Sequence, residues 1–113
     1  MRRDDLLRVH HMLDAAREAV SLSRGKSRRD IDSDRALALA LVKCIEIVGE
    51  AATHVSKEWQ DAHPNVLWAQ IIGMRNRLIH GYFDTDFDRV WDTVTEDLPP
   101  LIATLEGLLE EGR

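Results

Sequence analysis

The side chains best suited to chemistry lie in one eight-residue window, Arg75 to Tyr82. The planar guanidinium of Arg75 can hold a phosphate, and His80 can move a proton because a histidine side chain ordinarily titrates near neutral pH. On RNA these two functions suffice. A base removes the proton of the 2′-hydroxyl, the oxygen attacks the adjacent phosphate, and a cation stabilises the developing charge. This reaction needs no metal or cofactor, leaves a 2′,3′-cyclic phosphate, and cannot occur on DNA.

The spacing of this pair constrains how the two side chains can meet. Residues 75 and 80 are five apart, which on an ideal helix places them roughly 140° around and 7.5 Å along the axis. They converge only if the helix ends at His80 or if a second subunit completes the site. The spacing therefore favours a homodimer with a shared cleft.

The composition limits the class of protein. The 113 residues fit a single domain spanning 1–113, and the net charge of −5 argues against a broad nucleic-acid-binding surface. An RNA-cleaving site would need a local basic patch, for which Arg75 and Arg77 are candidates. The single cysteine, Cys44, excludes an intramolecular disulfide and is expected in the core. With no apolar stretch long enough for a bilayer and no secretory signal, we expect a cytoplasmic protein without membrane contact.

Apolar residues recur at spacings of three and four and predict an all-α fold. We expect one helix from Asp4 or Asp5, as its cap, to Ser23, and a central helix over 36–55 after a cap at Asp32 or Ser33. A C-terminal helical stretch is expected over 90–108. Pro99 and Pro100 predict a kink there, or two helices in line. Shorter helices are expected over 66–72 and 74–80, a basic loop over 23–29 and a connection over 59–65. The prediction is an antiparallel bundle of four main helices plus one or two short ones.

Two carboxylates stand one turn apart on the central helix, Glu46 and Glu50. Such a pair can bind a metal or act as acid and base. We favour a simpler interpretation, in which the pair orients Arg75 or Arg77, with Glu50 as the preferred partner. Gly49, between them, is expected to allow another helix to approach closely.

The segment Arg75-Asn76-Arg77-Leu78-Ile79-His80-Gly81-Tyr82 resembles the Arg-x4-His-x-Tyr signature of HepT toxins, in the HEPN superfamily of helical ribonucleases. The resemblance extends to 47–52 in the central helix, to Pro64 and Trp68 before the signature, to 71–74, and to the C-terminal motifs at 90–91 and 97–99. It therefore covers nearly the whole chain.

The resemblance implies specific roles. Arg75 and His80 match the catalytic pair, and Asn76 matches a polar neighbour that orients the site or binds phosphate; Arg77 and Glu50 are further candidates for that task. Tyr82 matches the tyrosine to which a partner nucleotidyltransferase antitoxin of the MntA type attaches AMP. The family forms homodimers with both signatures facing one cleft. The chain would thus be an RNA-cleaving toxin with no metal or cofactor.

A second interpretation assigns no catalysis to the signature. In it the domain is a helical binding subunit of a nucleotidyltransferase, and the signature serves docking and dimer packing. The intact set of Arg75, His80 and Tyr82 favours the ribonuclease, whereas the acidic net charge counts against it.

Overall fold

Three helical rods, over 3–23, 35–53 and 87–111, form the body of the fold. The structure is a computed structural model that describes residues 3–78 and 84–111. The regular elements of those residues are helices, which confirms the all-α prediction. In chain order they are α1 Arg3–Ser23, α2 Arg28–Ser33, α3 Arg35–Thr53, α4 Lys57–Ala62, α5 Trp68–Ile72, a 3₁₀ turn Arg75–Leu78, α6 Phe87–Asp92, a π-helical segment Thr93–Asp97 and α7 Leu98–Glu111. None of these helices is long and apolar enough to cross a membrane.

The first rod, α1, lies between the other two and packs against both α3 and α7. Asp5, in the first turn of α1, accepts hydrogen bonds from Ser56, just beyond the end of α3, so these two helices run antiparallel. The predicted apolar stripes meet in the core, where the largest fully buried side chains include Met12, Leu41, Ile45, Leu78, Leu98 and Leu105. The middle position among the three rods belongs to α1, so the central position predicted for α3 is corrected; α3 packs on α1, α2 and α5.

The third rod is helical from Phe87 to Glu111 despite its two prolines. Pro99 and Pro100 carry no N–H, so they cannot donate to the carbonyls of Thr95 and Glu96 as an α-helix requires. The chain adopts a wider π-helical turn immediately before them, over Thr93–Asp97. This agrees with the expectation of a kink or two helices in line.

Two short helices were not predicted. The basic loop ends before Arg28, where α2 begins, and Ser27 donates its backbone N–H to the Asp30 carboxylate at 2.6 Å. The expected connection over 59–65 contains most of α4, whose first turn is capped by the Ser56 hydroxyl, which accepts from the N–H of Trp59 at 3.2 Å. Six-residue helices are too short for apolar periodicity to reveal them, so only the serine caps signal them.

The capping predictions for α1 and α3 are corrected. Asp4 and Asp5 lie inside α1 rather than capping it, and the buried carboxylate of Asp5 accepts from the backbone N–H and the hydroxyl of Ser56, both at 2.7 Å. The cap of α3 is Asp34, which accepts from the N–H of Leu37 at 3.1 Å, and neither Asp32 nor Ser33. The carboxylate of Asp5 thereby ties the start of α1 to the start of α4.

The lone cysteine is a core residue, as expected. Cys44 is 4% exposed on the inner face of α3. Desolvation by burial, with a smaller contribution from the negative charge of Glu18, raises the pKa of its thiol above the ordinary value. The side chain therefore stays a neutral, unreactive thiol at physiological pH.

Close contact between α3 and α5 depends on Gly49. A Cβ atom at this position would lie 3.2 Å from the backbone oxygen of Ile71 and 3.6 Å from that of Ile72. The expected close approach of another helix is confirmed, and the helix is α5. The obstructing atoms belong to the backbone, so α5 as a whole would have to move to admit a side chain.

We expect Gly49→Val to destabilise the protein by about 1–3 kcal/mol, as overpacked core substitutions do. Gly107→Ala is the matched control, because a Cβ on that α7 glycine meets no atom within 4 Å. It should stabilise the fold by up to about 1 kcal/mol through helix propensity. Urea unfolding followed by circular dichroism measures both. A Gly49→Val protein as stable as the parent would show that α5 does not need this glycine.

Candidate active site

The first half of the signature is held by buried side chains on both sides of Arg75. Ile71 and Trp68 bury the inner face of α5, and Met74 and Leu78 bury the ends of the turn that follows. The predicted short helix over 74–80 is, in its described part, the 3₁₀ turn Arg75–Leu78. The three anchors Ile71, Met74 and Leu78 thus fix the backbone from which Arg75 projects.

Arg75 is oriented by a carboxylate of α3. Its Nε donates to Oε1 of Glu46 at 3.1 Å, and Glu46 also lies 4.0 Å from Nζ of Lys43. The predicted pairing of the signature arginine with α3 is confirmed, but the preference for Glu50 is wrong. Glu50 stands one turn further along α3, where its Oε1 lies 3.2 Å from Nε2 of His54. Glu50 and His54 are one turn apart and pair with each other. Glu46 is therefore the carboxylate that holds Arg75.

The side chain of Arg75 lines a cleft between α1 and α3 that has a volume of about 610 Å³. Half of its side chain is exposed to this space, whereas only 30% of the Glu46 side chain is. The lining is rich in cations for a chain with a net charge of −5. It consists of Arg8, His11, Lys43, Glu46, Ile47, Glu50, Ala51, His54 and Arg75.

Arg77 points away from that cleft. Its guanidinium donates to the carbonyl of Gln70 and lines a second groove, of about 450 Å³, between the α5 region and the C-terminal rod. A 3₁₀ helix has three residues per turn, so side chains two positions apart diverge by about 120°. Arg75 and Arg77 therefore do not form one basic patch within a single chain. Asn76, between them, is exposed.

The second half of the signature lies outside the described residues. Ile79, His80, Gly81 and Tyr82 all fall in the range 79–83. The described residues that flank this range are joined, since the backbone N–H of Asp86 donates to the carbonyl of Leu78. Asp86 also caps α6 by accepting from the N–H of Arg89 at 3.0 Å. Leu78 and Asp86, on either side of this range, are thus tied to each other and to the start of α6.

Two carboxylates neutralise the positive charge of Arg28 in the basic segment. Arg28 donates to Asp88 at 2.7 Å and to Asp32 at 3.1 Å, and these hydrogen bonds, that to Asp88 first, raise the pKa of its guanidinium. An arginine held by two carboxylates is a poor candidate for guiding RNA. It joins α2 to α6 instead.

Sequence reasoning missed two residues of the cleft that can donate hydrogen bonds to an anion. Arg8 and His11 lie on α1, more than sixty residues before the signature, and nothing in their local pattern marks them. The cleft residues on α3 could be recognised from the sequence, because they form one polar stripe at spacings of three and four: Lys43, Glu46, Glu50 and His54. Only the packing of α1 on α3 places Arg8 and His11 beside that stripe.

Comparison with known proteins identifies the family. The sequence profile described as Ribonuclease HepT-like matches residues 12–108, which includes α3, Arg75 and the signature. The chain belongs to the HepT-like ribonuclease family. The residues that carry the sequence resemblance therefore lie in a matched region that covers most of the chain. No solved structure matches the chain significantly.

Several curated relatives support this family assignment. A protein of Caldanaerobacter subterraneus subsp. tengcongensis, named as a candidate RNase, is 32% identical over 105 residues, or 93% of this chain and 94% of that protein. A similarly named protein of Methanocaldococcus jannaschii is 28% identical over 105 residues, or 93% and 96% of the two chains. A Thermococcus cleftensis protein named Probable ribonuclease HepT is 35% identical over 79 residues, or 70% and 72%.

Proposed function

We propose that this family member is a metal-independent endoribonuclease in which Arg75 and His80 act on the scissile phosphate. His80 takes the proton of the 2′-hydroxyl, and the oxygen attacks phosphorus as the bond to the 5′-oxygen breaks. Arg75 stabilises the negative charge that develops on the phosphate oxygens. The 5′-oxygen takes a proton from solvent water and His80 returns its proton to solvent, so the products are a 2′,3′-cyclic phosphate and a free 5′-hydroxyl.

The observation that supports this proposal best is the placement of Arg75. A carboxylate holds its Nε while half of the side chain faces an open, cation-lined cleft. A guanidinium oriented on one edge keeps its remaining N–H groups for a phosphate. The local excess of positive charge answers the objection raised by the acidic composition, since the charge lies where the substrate would lie.

The test is cleavage of single-stranded RNA by the purified chain in EDTA, after mass spectrometry shows that Tyr82 carries no AMP. We expect fragments with cyclic-phosphate ends and no cleavage of the DNA of the same sequence. Absence of cleavage from unmodified protein would favour the alternative function, a helical binding subunit of a nucleotidyltransferase.

We further propose that the chain is the toxin of a toxin–antitoxin pair and acts as a homodimer. The resemblance to HepT toxins supports both points. The partner would be an MntA-type nucleotidyltransferase that attaches AMP to Tyr82. The added phosphate would compete with RNA for Arg75, and the adenosine would obstruct the cleft.

Tyr82→Phe tests this regulation. Phenylalanine keeps the ring but lacks the hydroxyl that receives AMP, so the variant should cleave RNA at the parental rate and gain no AMP mass when incubated with the antitoxin and ATP. Co-expression of the antitoxin should then fail to relieve growth arrest by the variant, although it protects cells that express the parent. Normal neutralisation of Tyr82→Phe would exclude Tyr82 as the regulatory site.

A further inference from the structure

Arginine and histidine side chains line the active-site cleft beyond Arg75 and Glu46. Arg8 and His11 project from α1, and His54 lies at the end of α3. Glu46, which holds Arg75, and His54 are eight residues apart on α3, so the two ends of the cleft are separated by about 12 Å along the helix. A single phosphate at Arg75 would leave the far end of the cleft empty.

Arg8 differs from the arginines that support the fold. Arg17 pairs with Glu106, Arg28 with Asp32 and Asp88, and Arg75 with Glu46. Arg8 is half-buried, yet its guanidinium makes no hydrogen bond or ion pair with any residue of the ranges 3–78 and 84–111. An arginine on the wall of an open cleft without a carboxylate partner keeps its N–H donors for an anion from solution.

The charges around Arg8 favour an anion from solution. Of the two carboxylates in the cleft, Glu46 pairs with Arg75 and Glu50 with His54, and Asp5, one turn earlier on α1, is buried and used by Ser56. Lys43 adds a positive charge beyond Glu46 on the same wall. The cleft thus presents Arg8 with its hydrogen-bond donors free.

We propose that Arg8, with His11 beside it, is a phosphate-binding subsite for a nucleotide that flanks the scissile bond of RNA. This inference rests on the proposed ribonuclease function and extends it from one phosphate to a track along α1 and α3. Arg8 binds the backbone and not a base, so it contributes affinity without sequence preference. RNA lies along the cleft from Arg75 towards the end of α3.

The experiment measures binding separately from cleavage. The probe is a short, fluorescein-labelled RNA of mixed sequence with 2′-O-methyl groups throughout, which cannot be cleaved because the attacking oxygen is blocked. Fluorescence anisotropy over a range of salt concentrations compares the parent with Arg8→Ala, Arg8→Lys and Arg17→Ala. Arg17 is the matched control, because it is a helix α1 arginine that pairs with Glu106 outside this cleft.

Arg8→Ala should raise the Kd about tenfold at low salt, the effect of losing one charge-assisted contact. The slope of log affinity against log salt should fall in magnitude by about 0.7, as expected for one phosphate contact with a single strand. Arg8→Lys should retain most of that slope because the charge remains. Arg17→Ala should change neither quantity, and circular dichroism should show parental melting for all variants.

Equal affinity and salt slope for Arg8→Ala and the parent would overturn the subsite, as would the absence of measurable binding by the parent. Failure of the subsite alone is distinguishable from failure of the nuclease. A parent that cleaves RNA in EDTA while Arg8→Ala binds normally refutes only the subsite. A parent that binds through Arg8 but never cleaves refutes only the nuclease.

Discussion

Arg75→Ala and His80→Ala should each lower the rate of RNA cleavage in EDTA by about 10³-fold, and Arg75→Ala should leave the stability of the fold nearly unchanged. Loss of a preorganised cation that stabilises transition-state charge costs about 10²–10³-fold, and loss of a general base costs about 10²–10⁴-fold. Half of the Arg75 side chain is exposed and its one ion pair is near the surface, so its removal costs at most about 1 kcal/mol of stability.

The comparison is made with single-turnover cleavage of end-labelled RNA, with the 2′,3′-cyclic ends identified by their conversion with phosphatase and polynucleotide kinase. Arg17→Ala serves as the arginine control, because its partner Glu106 lies outside the cleft. Arg75→Lys should recover only part of the activity, since lysine keeps the charge but lacks the planar fork. Cleavage at the parental rate by either alanine variant would remove that residue from the mechanism.

Glu46→Ala should lower the cleavage rate by up to about 100-fold while RNA binding stays the same or becomes tighter. The carboxylate orients Arg75 through the 3.1 Å contact with Nε, and misplacement of a reacting group by about 1 Å can cost that much. The same carboxylate also repels phosphate within the cleft. Its removal therefore affects the rate and the affinity in opposite directions, which a loss of folding would not do.

Three variants separate positioning from general electrostatics. Glu46→Gln keeps an oxygen acceptor for Arg75 and should retain more activity than Glu46→Ala. Glu106→Ala breaks an inter-helix arginine pair of the same kind outside the cleft and should cleave normally. A Glu46→Ala protein that cleaves at the parental rate, or that loses affinity together with rate, would show that Glu46 does not position Arg75.

Local sequence pattern predicted the long helices well because each buries a wide apolar stripe whose period is visible without any partner. The buried faces of α1, α3 and α7 lie where three- and four-residue spacing places them. The short helices α2 and α4 were missed because six residues complete fewer than two turns. Their stability depends on caps and on contacts such as that between Asp5 and Ser56, which are fifty-one residues apart.

The candidate site, like the fold, was predicted from the sequence only in part. The residue types of the signature suggested a phosphate-binding arginine and a proton-transferring histidine, because that chemistry belongs to the side chains themselves. The polar stripe of α3 also identified Glu46 and Glu50 as possible partners, but the choice between them depends on how far α5 slides along α3. That register is set at Gly49, where the backbone of α5 comes close enough to leave no space for a Cβ.

The sequence by itself therefore determined the helical class, the core stripes and the identity of the chemical groups, since these follow from local periodicity and side-chain chemistry. Only the tertiary structure decided that Glu46 holds Arg75, that Arg77 turns to another groove, and that Arg8 and His11 line the cleft. Each of these depends on the packing of helices distant in the sequence, and a one-residue difference in helical register rotates a side chain by about 100°.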